Sequence, residues 1–198
     1  MSKAILLSGG MDSVSLAYWK RPDHAFTLNY GQMPSTAEIN AASTVADILN
    51  IEHHVINVDL SDLGSGDMAN RPPLPEAPVP EWWPYRNQML ITIAAMKAIS
   101  LGVTEIMMAT LKTDAQHSDG TPEFIQKMSD IMQHQEGNIK VTSPAIQLDA
   151  IELVQCSGIP PEILCWSHSC HTSNLACGVC RGCLKHHKTM SIALGIPY

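Results

Sequence analysis

A short segment near the amino terminus has the residue types and spacing of an anion-binding loop. Residues 8–13 read Ser-Gly-Gly-Met-Asp-Ser and follow the apolar residues 4–7. The two glycines let backbone N–H groups approach an anion closely, and a helix that begins here adds its partial positive charge. The segment lacks the lysine of a loop that cradles β- and γ-phosphates, so it favours a bound pyrophosphate group over phosphoryl transfer. The alternative is a plain tight turn between a strand and a helix.

Cysteines near the carboxyl terminus have the spacing of a metal site. The four cysteines are Cys170, Cys177, Cys180 and Cys183. Successive members of this set are separated by six, two and two residues. Tetrahedral Zn²⁺ accepts four thiolates at such spacings. An iron–sulfur cluster also takes four thiolates, so both remain open, with structural zinc the favoured interpretation. Cys156 and Cys165 are predicted to be small buried residues.

The start of the chain and its cysteines favour a reducing compartment. The apolar run at residues 4–7 is too short for a signal peptide, and no apolar run approaches the roughly 20 residues of a membrane span. Clustered cysteines without an export signal indicate thiolates held for a metal rather than disulfides. We therefore expect a cytoplasmic protein with no membrane partner.

Composition limits the class of partner. The chain has 198 residues, of which 45% are hydrophobic and 16% charged, with 12 Lys plus Arg against 19 Asp plus Glu. A formal charge of −7 opposes binding to a polyphosphate backbone, so nucleic acid is not expected as the primary partner. This length supports one full core, and we expect a single domain over residues 1–198.

The elements that would position these groups alternate between short apolar runs and longer amphipathic segments. Strands are predicted at residues 4–7, 25–30, 54–58 and 105–109, and helices at 14–19, 34–50, 87–101, 122–133, 149–156 and 184–193. Such alternation is typical of a parallel sheet. We expect an α/β fold with a mainly parallel five-stranded sheet, helices on both faces, and a zinc-bound appendage at about 165–198.

An insert at about 61–85 interrupts this pattern. Its prolines and glycines forbid a continuous helix, which indicates a lid, a partner-binding segment or disorder. Trp82, Trp83 and Tyr85 carry large apolar faces that a free linker would leave in water. These aromatics and a mean hydropathy near zero (+0.01) favour a homodimer in which the insert crosses between protomers.

Other polar residues lie where parallel sheets place ligand-binding loops. The candidates are Tyr30, Gly31 and Gln32 after the second strand, Lys112 and Asp114 after the fourth, and Arg86 and Asn87 after the insert. Tyr30 to Gln32 could meet an adenine or ribose, and Arg86 with Asn87 could bind ATP or a substrate carboxylate. The alternatives are a solvated charge pair for Lys112 with Asp114, and a helix cap with a surface ion pair for Arg86 with Asn87.

The loop at residues 8–13 resembles that of the PP-loop ATP pyrophosphatases. The resemblance implies adenylation of a substrate oxygen by ATP, with release of pyrophosphate neutralised by Mg²⁺. Residues implied around that pyrophosphate are Ser8, Gly9, Gly10, Asp12 and Ser13. Asp12 is expected to hold the metal or orient the loop, Lys112 to stabilise charge on the α-phosphate, and Asp114 to bind Mg²⁺ or a ring N–H.

The order of several motifs along nearly the whole chain is similar to that of the 7-cyano-7-deazaguanine synthase family. The motifs are the loop at 8–13, Tyr30-Gly31-Gln32, Arg86-Asn87, Thr113-Asp114, Pro122-Glu123-Phe124 and the terminal cysteines. This resemblance implies that an acyl adenylate of 7-carboxy-7-deazaguanine reacts with ammonia to give an amide. A second adenylation and loss of AMP then give a nitrile.

Three places depart from that family's pattern. Tyr85 replaces a glycine, residues 115–120 replace a loop with Asp-Cys-Arg, and His186 replaces an arginine. They suit an enzyme that stops at the amide or transfers the activated acid to an amine of a peptide or protein, with residues 72–85 as the partner-binding surface. A catalytically silent zinc-containing binding module is a further alternative.

Overall fold

The chain forms a parallel five-stranded sheet in the computed structural model, which describes residues 1–195. The strands are β1 (Ser2–Leu6), β2 (His24–Asn29), β3 (Glu52–Asn57), β4 (Val103–Met107) and β5 (Lys140–Thr142), in the spatial order β3-β2-β1-β4-β5. Every pairing is parallel. The expected sheet is therefore confirmed.

Helices connect and cover these strands. They are α1 (Met11–Lys20), α2 (Ser35–Leu49), α3 (Arg86–Ser100), α4 (Pro122–Gln133), α5 (Ala150–Ser157), α6 (Pro161–Leu164) and α7 (Arg181–Leu194). Helix α4 has the predicted bounds because Pro122 occupies its first turn and the Thr121 hydroxyl accepts a hydrogen bond from the Phe124 N–H. Helix α1 begins three residues before the predicted position, directly after Gly10.

Two hydrophobic cores lie on opposite faces of the sheet, because side chains alternate along each strand. Ile5 and Leu7 belong to a core with α1, α2 and α5, whereas Ala4 belongs to a core with α3 and α4. Helices thus cover both faces, as expected. Among residues 1–195, no helix combines the length and apolar character needed to cross a membrane.

The order of the strands creates a crevice at the centre of the sheet. The chain runs from β1 outward through β2 to β3 and then returns to place β4 on the other side of β1. At such a point of reversal, the loops at the carboxyl ends of the two central strands diverge and leave room for a ligand. The loop at residues 8–13 follows β1, so it borders this crevice.

The sequence did not locate the fifth strand. Strand β5 has only three residues, and only Val141 among them is buried. A strand this short has too few residues for a readable alternation of side chains, and it is held here by parallel pairing with β4.

The insert at 61–85 packs against the rest of the chain. It contains 3₁₀ turns at Ser61–Leu63 and Asp67–Ala69. Trp83 is buried in the α3 core with its ring 5.0 Å from that of Tyr30, and Met68 is buried beside it. One of the aromatic residues that favoured a dimer is therefore covered by its own chain. Residues 196–198, the end of the predicted metal-binding segment, lie outside the described residues.

Candidate active site at the carboxyl ends of the strands

A cavity of about 650 Å³ occupies the crevice between the central strands. Its walls come from the ends of β1, β2 and β4, from the insert, and from the cysteine-containing segment. The lining residues include Ser8, Gly10, Asp12, Ser13, Tyr30, Gln32, Glu38, Glu81, Arg86, Asn87, Asp114, Asp119, His171, Arg181 and Lys185. Most of the residues predicted from the sequence thus lie around one space.

Gly9 allows the loop to turn closely against α2. Its backbone has φ +76°, which disfavours any residue with a side chain. A Cβ atom at this position would lie 2.4 Å from the Glu38 carbonyl oxygen. The Gly9 carbonyl also accepts a hydrogen bond from the His168 N–H at 2.9 Å. The loop is therefore fixed between α2 and the cysteine-containing segment.

The first turn of α1 leaves its donors available to an anion. Gly10 precedes the helix and supplies no side-chain cap, so the first N–H groups lack the partner that a capping side chain provides. Hydroxyls flank the turn: Ser13 Oγ donates to the Gly10 carbonyl at 2.9 Å and lies 3.1 Å from Ser8 Oγ. This arrangement matches the donor set of an anion site.

A lysine from the end of the chain faces this turn. Lys185 Nζ on α7 donates to Asp12 Oδ2 at 2.7 Å. Burial would lower the pKa of Lys185, but the charges of Asp12 and Asp114 outweigh it and raise that pKa. Burial raises the pKa of Asp12, with Lys185 opposing the shift. A cation is thereby held beside the loop at residues 8–13, here called the glycine loop, and Lys185 was not among the residues predicted from the sequence.

Lys112 and Asp114 diverge although they are two residues apart. Asp114 lines the cavity and accepts a hydrogen bond from the Leu111 N–H at 2.9 Å. Lys112 is not among the lining residues, and its ammonium lies 3.7 Å from Glu152 Oε2 with 57% of the side chain exposed. The 3₁₀ turn Lys112–Gln116 causes this separation by turning successive side chains in different directions.

The residues after β2 make internal contacts. The Gln32 side chain accepts from the Tyr30 N–H at 2.8 Å and donates to the Leu28 carbonyl and to Glu38 Oε2. Gln32 and Tyr30 line the cavity, whereas Gly31 does not. Burial raises the pKa of the Tyr30 hydroxyl, although the Arg86 guanidinium opposes it. Gln32 therefore orders the turn around Tyr30 and Glu38.

Glu38 is a partly buried carboxyl group with a raised pKa. Burial raises it from 4.5 to about 7, against the opposing effects of the Gln32 hydrogen bond and the Arg86 charge. The unfolded chain ionises near 4.5, so between these two values only the folded state retains the proton. Stability contributed by the neutral form is therefore lost as the pH rises through this window.

Replacing Glu38 by glutamine should remove the loss of stability that accompanies ionisation of Glu38 at high pH. We expect the Glu38→Gln variant to gain about 1–3 kcal/mol of unfolding free energy relative to wild type at pH 8, and little at pH 4.5. Urea unfolding at both pH values measures this difference. Glu136→Gln, at an exposed position, is the control. An equal effect of Glu38→Gln at both pH values would contradict the assignment.

Arg86 and Asn87 begin α3 at the cavity wall. Asn87 Nδ2 donates to the Asp119 carbonyl at 3.1 Å, and Arg86 Nη1 lies 3.1 Å from the Met68 sulfur. Tyr85, which precedes them, has φ +54° and is 78% exposed. Glycine adopts this conformation without strain, whereas Tyr85 adopts it despite its side chain.

A salt bridge connects the insert to the cysteine-containing segment. Glu81 Oε1 accepts from Arg181 Nη1 at 2.9 Å, and only 13% of the Glu81 side chain is exposed. Buried side-chain atoms that lack a hydrogen-bond partner within the described chain include Glu81 Oε2 and His171 Nδ1. Both residues line the cavity, so its wall contains polar atoms that a ligand could satisfy.

The four cysteines meet in space. Their sulfur atoms all lie within 4.8 Å of one another, with 3.9 Å between Cys177 and Cys183 and between Cys170 and Cys180. Thiolates around Zn²⁺ at 2.3 Å would be separated by ~3.8 Å. The donor set and these distances fit a tetrahedral metal. By contrast, Cys156 and Cys165 are exposed, so their predicted burial was wrong.

The cysteine cluster also begins helix α7. Cys180 Sγ accepts hydrogen bonds from the N–H groups of His171 and Cys183 at 3.4 Å, the second of which caps α7. Backbone N–H groups of Val179 and Cys180 lower the pKa of Cys177 to about 6, which favours the thiolate that a metal requires. The cluster therefore fixes the helix that carries Lys185.

Comparisons with known proteins agree with this architecture. A family model described as queuosine biosynthesis protein QueC matches residues 3–193. The 7-cyano-7-deazaguanine synthase of Methanococcus maripaludis strain S2 is 28% identical over 98% of this chain and 95% of its own. The synthase of Desulforudis audaxviator is 31% identical over 99% of each chain.

Among the solved structures that resemble this chain, one example shares the fold at low sequence identity. It is the U34-tRNA thiolase NcsA from Methanococcus maripaludis with its 4Fe–4S cluster. The TM-score is 0.54 at 16% identity, covering 98% of this chain and 70% of NcsA.

Proposed function

Because the chain belongs to the family described as queuosine biosynthesis protein QueC, we propose that it is an ATP-dependent ligase that converts 7-carboxy-7-deazaguanine and ammonia to 7-cyano-7-deazaguanine. The observation that carries this proposal is the glycine loop with the Lys185–Asp12 pair beside one cavity. Relatives over nearly the whole chain are named synthases of that nitrile. They favour this function over transfer to a peptide amine and over a silent binding module.

The first proposed step is adenylation. A carboxylate oxygen of the substrate attacks the α-phosphorus of ATP, the bond from that phosphorus to the bridging oxygen breaks, and pyrophosphate leaves. Negative charge grows on the departing group, where the N–H groups of the α1 first turn, the Ser8 and Ser13 hydroxyls and Lys185 would stabilise it. Since these donors are already ordered, little reorganisation is needed during the reaction.

The second proposed step forms the carbon–nitrogen bonds. Ammonia attacks the acyl carbon, AMP leaves, and an amide and a proton are released. The amide oxygen then attacks the α-phosphorus of a second ATP, and pyrophosphate leaves again. Loss of AMP and of both N–H protons yields the nitrile. AMP is a far better leaving group than the carboxylate oxygen itself, which is why each step consumes ATP.

Two carboxylates would hold Mg²⁺ at this site. Asp12 and Asp114 both line the cavity, and the charge of Asp114 raises the pKa of Asp12, which shows that the two groups interact. Oxygen ligands of this kind suit Mg²⁺, and the ion would neutralise phosphate charge. That Lys112 stabilises charge on the α-phosphate stays a prediction. We propose that Lys185 is the cation that acts beside the glycine loop.

The remaining lining residues would bind the two organic parts. Tyr30 and Gln32 lie at the end of β2, where we place the adenosine. Arg86 would pair with the substrate carboxylate, and Asn87 would position the adjacent wall through Asp119. Oxygen atoms of Asp114 and Glu81 suit the ring N–H and amino groups of a deazaguanine.

The cysteine cluster is proposed to hold a structural Zn²⁺, with the iron–sulfur cluster as the competing occupant. Four thiolates leave no open position on a tetrahedral ion, so its contribution would be to fold stability rather than to the reaction. A homodimer is also proposed. Large exposed apolar side chains at Leu175 and Val179, 80% and 78% exposed, provide a surface for it, and light scattering measures the mass.

Product analysis tests the proposed reaction. Incubation with ATP, Mg²⁺, 7-carboxy-7-deazaguanine and ammonia should give AMP, pyrophosphate and the nitrile by mass spectrometry. Omitting the deazaguanine acid should abolish pyrophosphate release, and the Asp12→Ala variant should form no product. Accumulation of the amide alone, or pyrophosphate release that does not depend on the acid, would overturn the proposal.

A further inference from the structure

Three potential metal ligands meet at the opposite end of the sheet from the cavity. His24 begins β2, and Glu52 and His54 lie at the beginning of β3. Parallel pairing places His24 beside Glu52 and Phe26 beside His54. Because side chains alternate, all three ligands project from the face of the sheet that α3 covers. The strands therefore bring them together through backbone pairing.

Each histidine nitrogen lies close to a different oxygen of the Glu52 carboxylate. His24 Nδ1 lies 3.3 Å from Glu52 Oε2, and His54 Nε2 lies 3.3 Å from Glu52 Oε1. The two ring nitrogens are themselves 3.3 Å apart. Two imidazole nitrogens and a carboxylate thus converge on one point.

These distances fit a metal better than they fit ion pairs. A charge-assisted N–H···O hydrogen bond contracts to ~2.7–2.9 Å, and both nitrogen-to-oxygen distances here are longer. Ligands at ~2.0–2.1 Å from a tetrahedral ion are separated by ~3.3–3.4 Å. The 3.3 Å between the two ring nitrogens is close to that spacing, and so is the 3.3 Å between each nitrogen and one of the two Glu52 oxygens.

The surroundings hold the imidazoles in place and keep one side open. The side chains of His24 and His54 are 13% and 16% exposed, and the His54 ring packs edge-on against Phe26 at 5.6 Å. Glu52 is 62% exposed, which leaves room for water to complete the coordination.

We propose that His24, Glu52 and His54 bind a divalent first-row transition metal, for which Zn²⁺ is the probe. Imidazole and carboxylate donors suit this class of ion. The ion would clamp the edge strand β3 to β2, far from the cavity and separate from the cysteine cluster. Lys97 on α3 lies near enough to lower the pKa of His54 and would moderate the affinity through its charge.

Metal counting tests this site on the full chain. After equilibrium dialysis against micromolar Zn²⁺ at pH 7.5, wild type should retain one more equivalent of zinc than His54→Ala or His24→Ala. This difference holds whichever metal occupies the cysteines. Glu52→Gln should weaken zinc binding at least ~10-fold, since even loss of outer partners costs ~10–100-fold. His134→Ala, at an exposed position on α4's carboxyl end, is the control.

A stability measurement separates lost binding from lost folding. Zinc should raise the melting temperature of the wild-type protein and of His134→Ala, but not that of a His54→Ala protein whose circular dichroism is unchanged. Equal zinc content in wild type and His54→Ala, or a loss of zinc in His134→Ala as well, would overturn the proposal.

Discussion

The Lys185→Ala variant should lose ~10²–10³-fold in the rate of ATP–pyrophosphate exchange, the loss typical when one charge-stabilising donor is removed. Lys185 places an ammonium 2.7 Å from Asp12 at the first turn of α1, where we expect the departing pyrophosphate. Without it, the partly buried Asp12 carboxylate faces the phosphates with no protein cation paired to it. The charge on the departing pyrophosphate would then be less well neutralised, and Asp12 would position Mg²⁺ less well.

The exchange assay with three lysine variants measures this effect. Lys185→Arg retains the charge and should recover part of the rate. Lys112→Ala should change the rate little, since its ammonium pairs with Glu152 and more than half of its side chain is exposed. A large loss in Lys112→Ala together with a normal Lys185→Ala enzyme would reverse the assignment and restore the role that the sequence predicts for Lys112.

Removing one cysteine ligand should lower activity indirectly, because the protein loses its metal and becomes less stable. We expect the Cys180→Ser variant to lose its metal and to be strongly destabilised, since structural zinc contributes ~10–16 kcal/mol to folding in zinc-finger peptides. Cys180 also caps α7, so the helix that carries Lys185 should lose its fixed start. Exchange activity should fall together with metal content.

Elemental analysis, thermal unfolding and the exchange assay follow these losses. Cys156→Ser is the matched control because Cys156 is exposed and remote in sequence from the cluster. Zinc without iron in protein purified anaerobically would support the structural-zinc proposal, whereas four irons with sulfide would support the cluster. Normal activity and stability in a metal-free Cys180→Ser protein would contradict a structural role.

The parallel sheet was predictable where strands carry continuous apolar runs. Strands β1, β2 and β4 are central, so both of their faces are buried and their sequences show it. Strand β5 is short and at an edge, and its pairing with β4 rather than its own composition defines it. The start of α1 was predicted late because Gly10, which precedes it, gives no side-chain capping signal.

The site was predictable where its residues are neighbours in sequence. The loop at 8–13 and the cysteine cluster each occupy one segment, and the structure brings each together. Lys185 was missed because 173 residues separate it from Asp12. The sequence offered one signal for Lys185, which is its position two residues after the last cysteine. A metal that anchors the start of α7 also fixes the direction of the first turn of that helix.

The placement of Lys185 has a consequence for synthesis on the ribosome. The loop at residues 8–13 emerges long before the lysine that completes it, because 173 residues separate Asp12 from Lys185. A nascent chain, or a product of premature termination, would have the loop without its cation. Under the proposed function, nucleotide consumption would thus begin only after α7 has been synthesised and has docked, so fragments that lack α7 should consume little ATP.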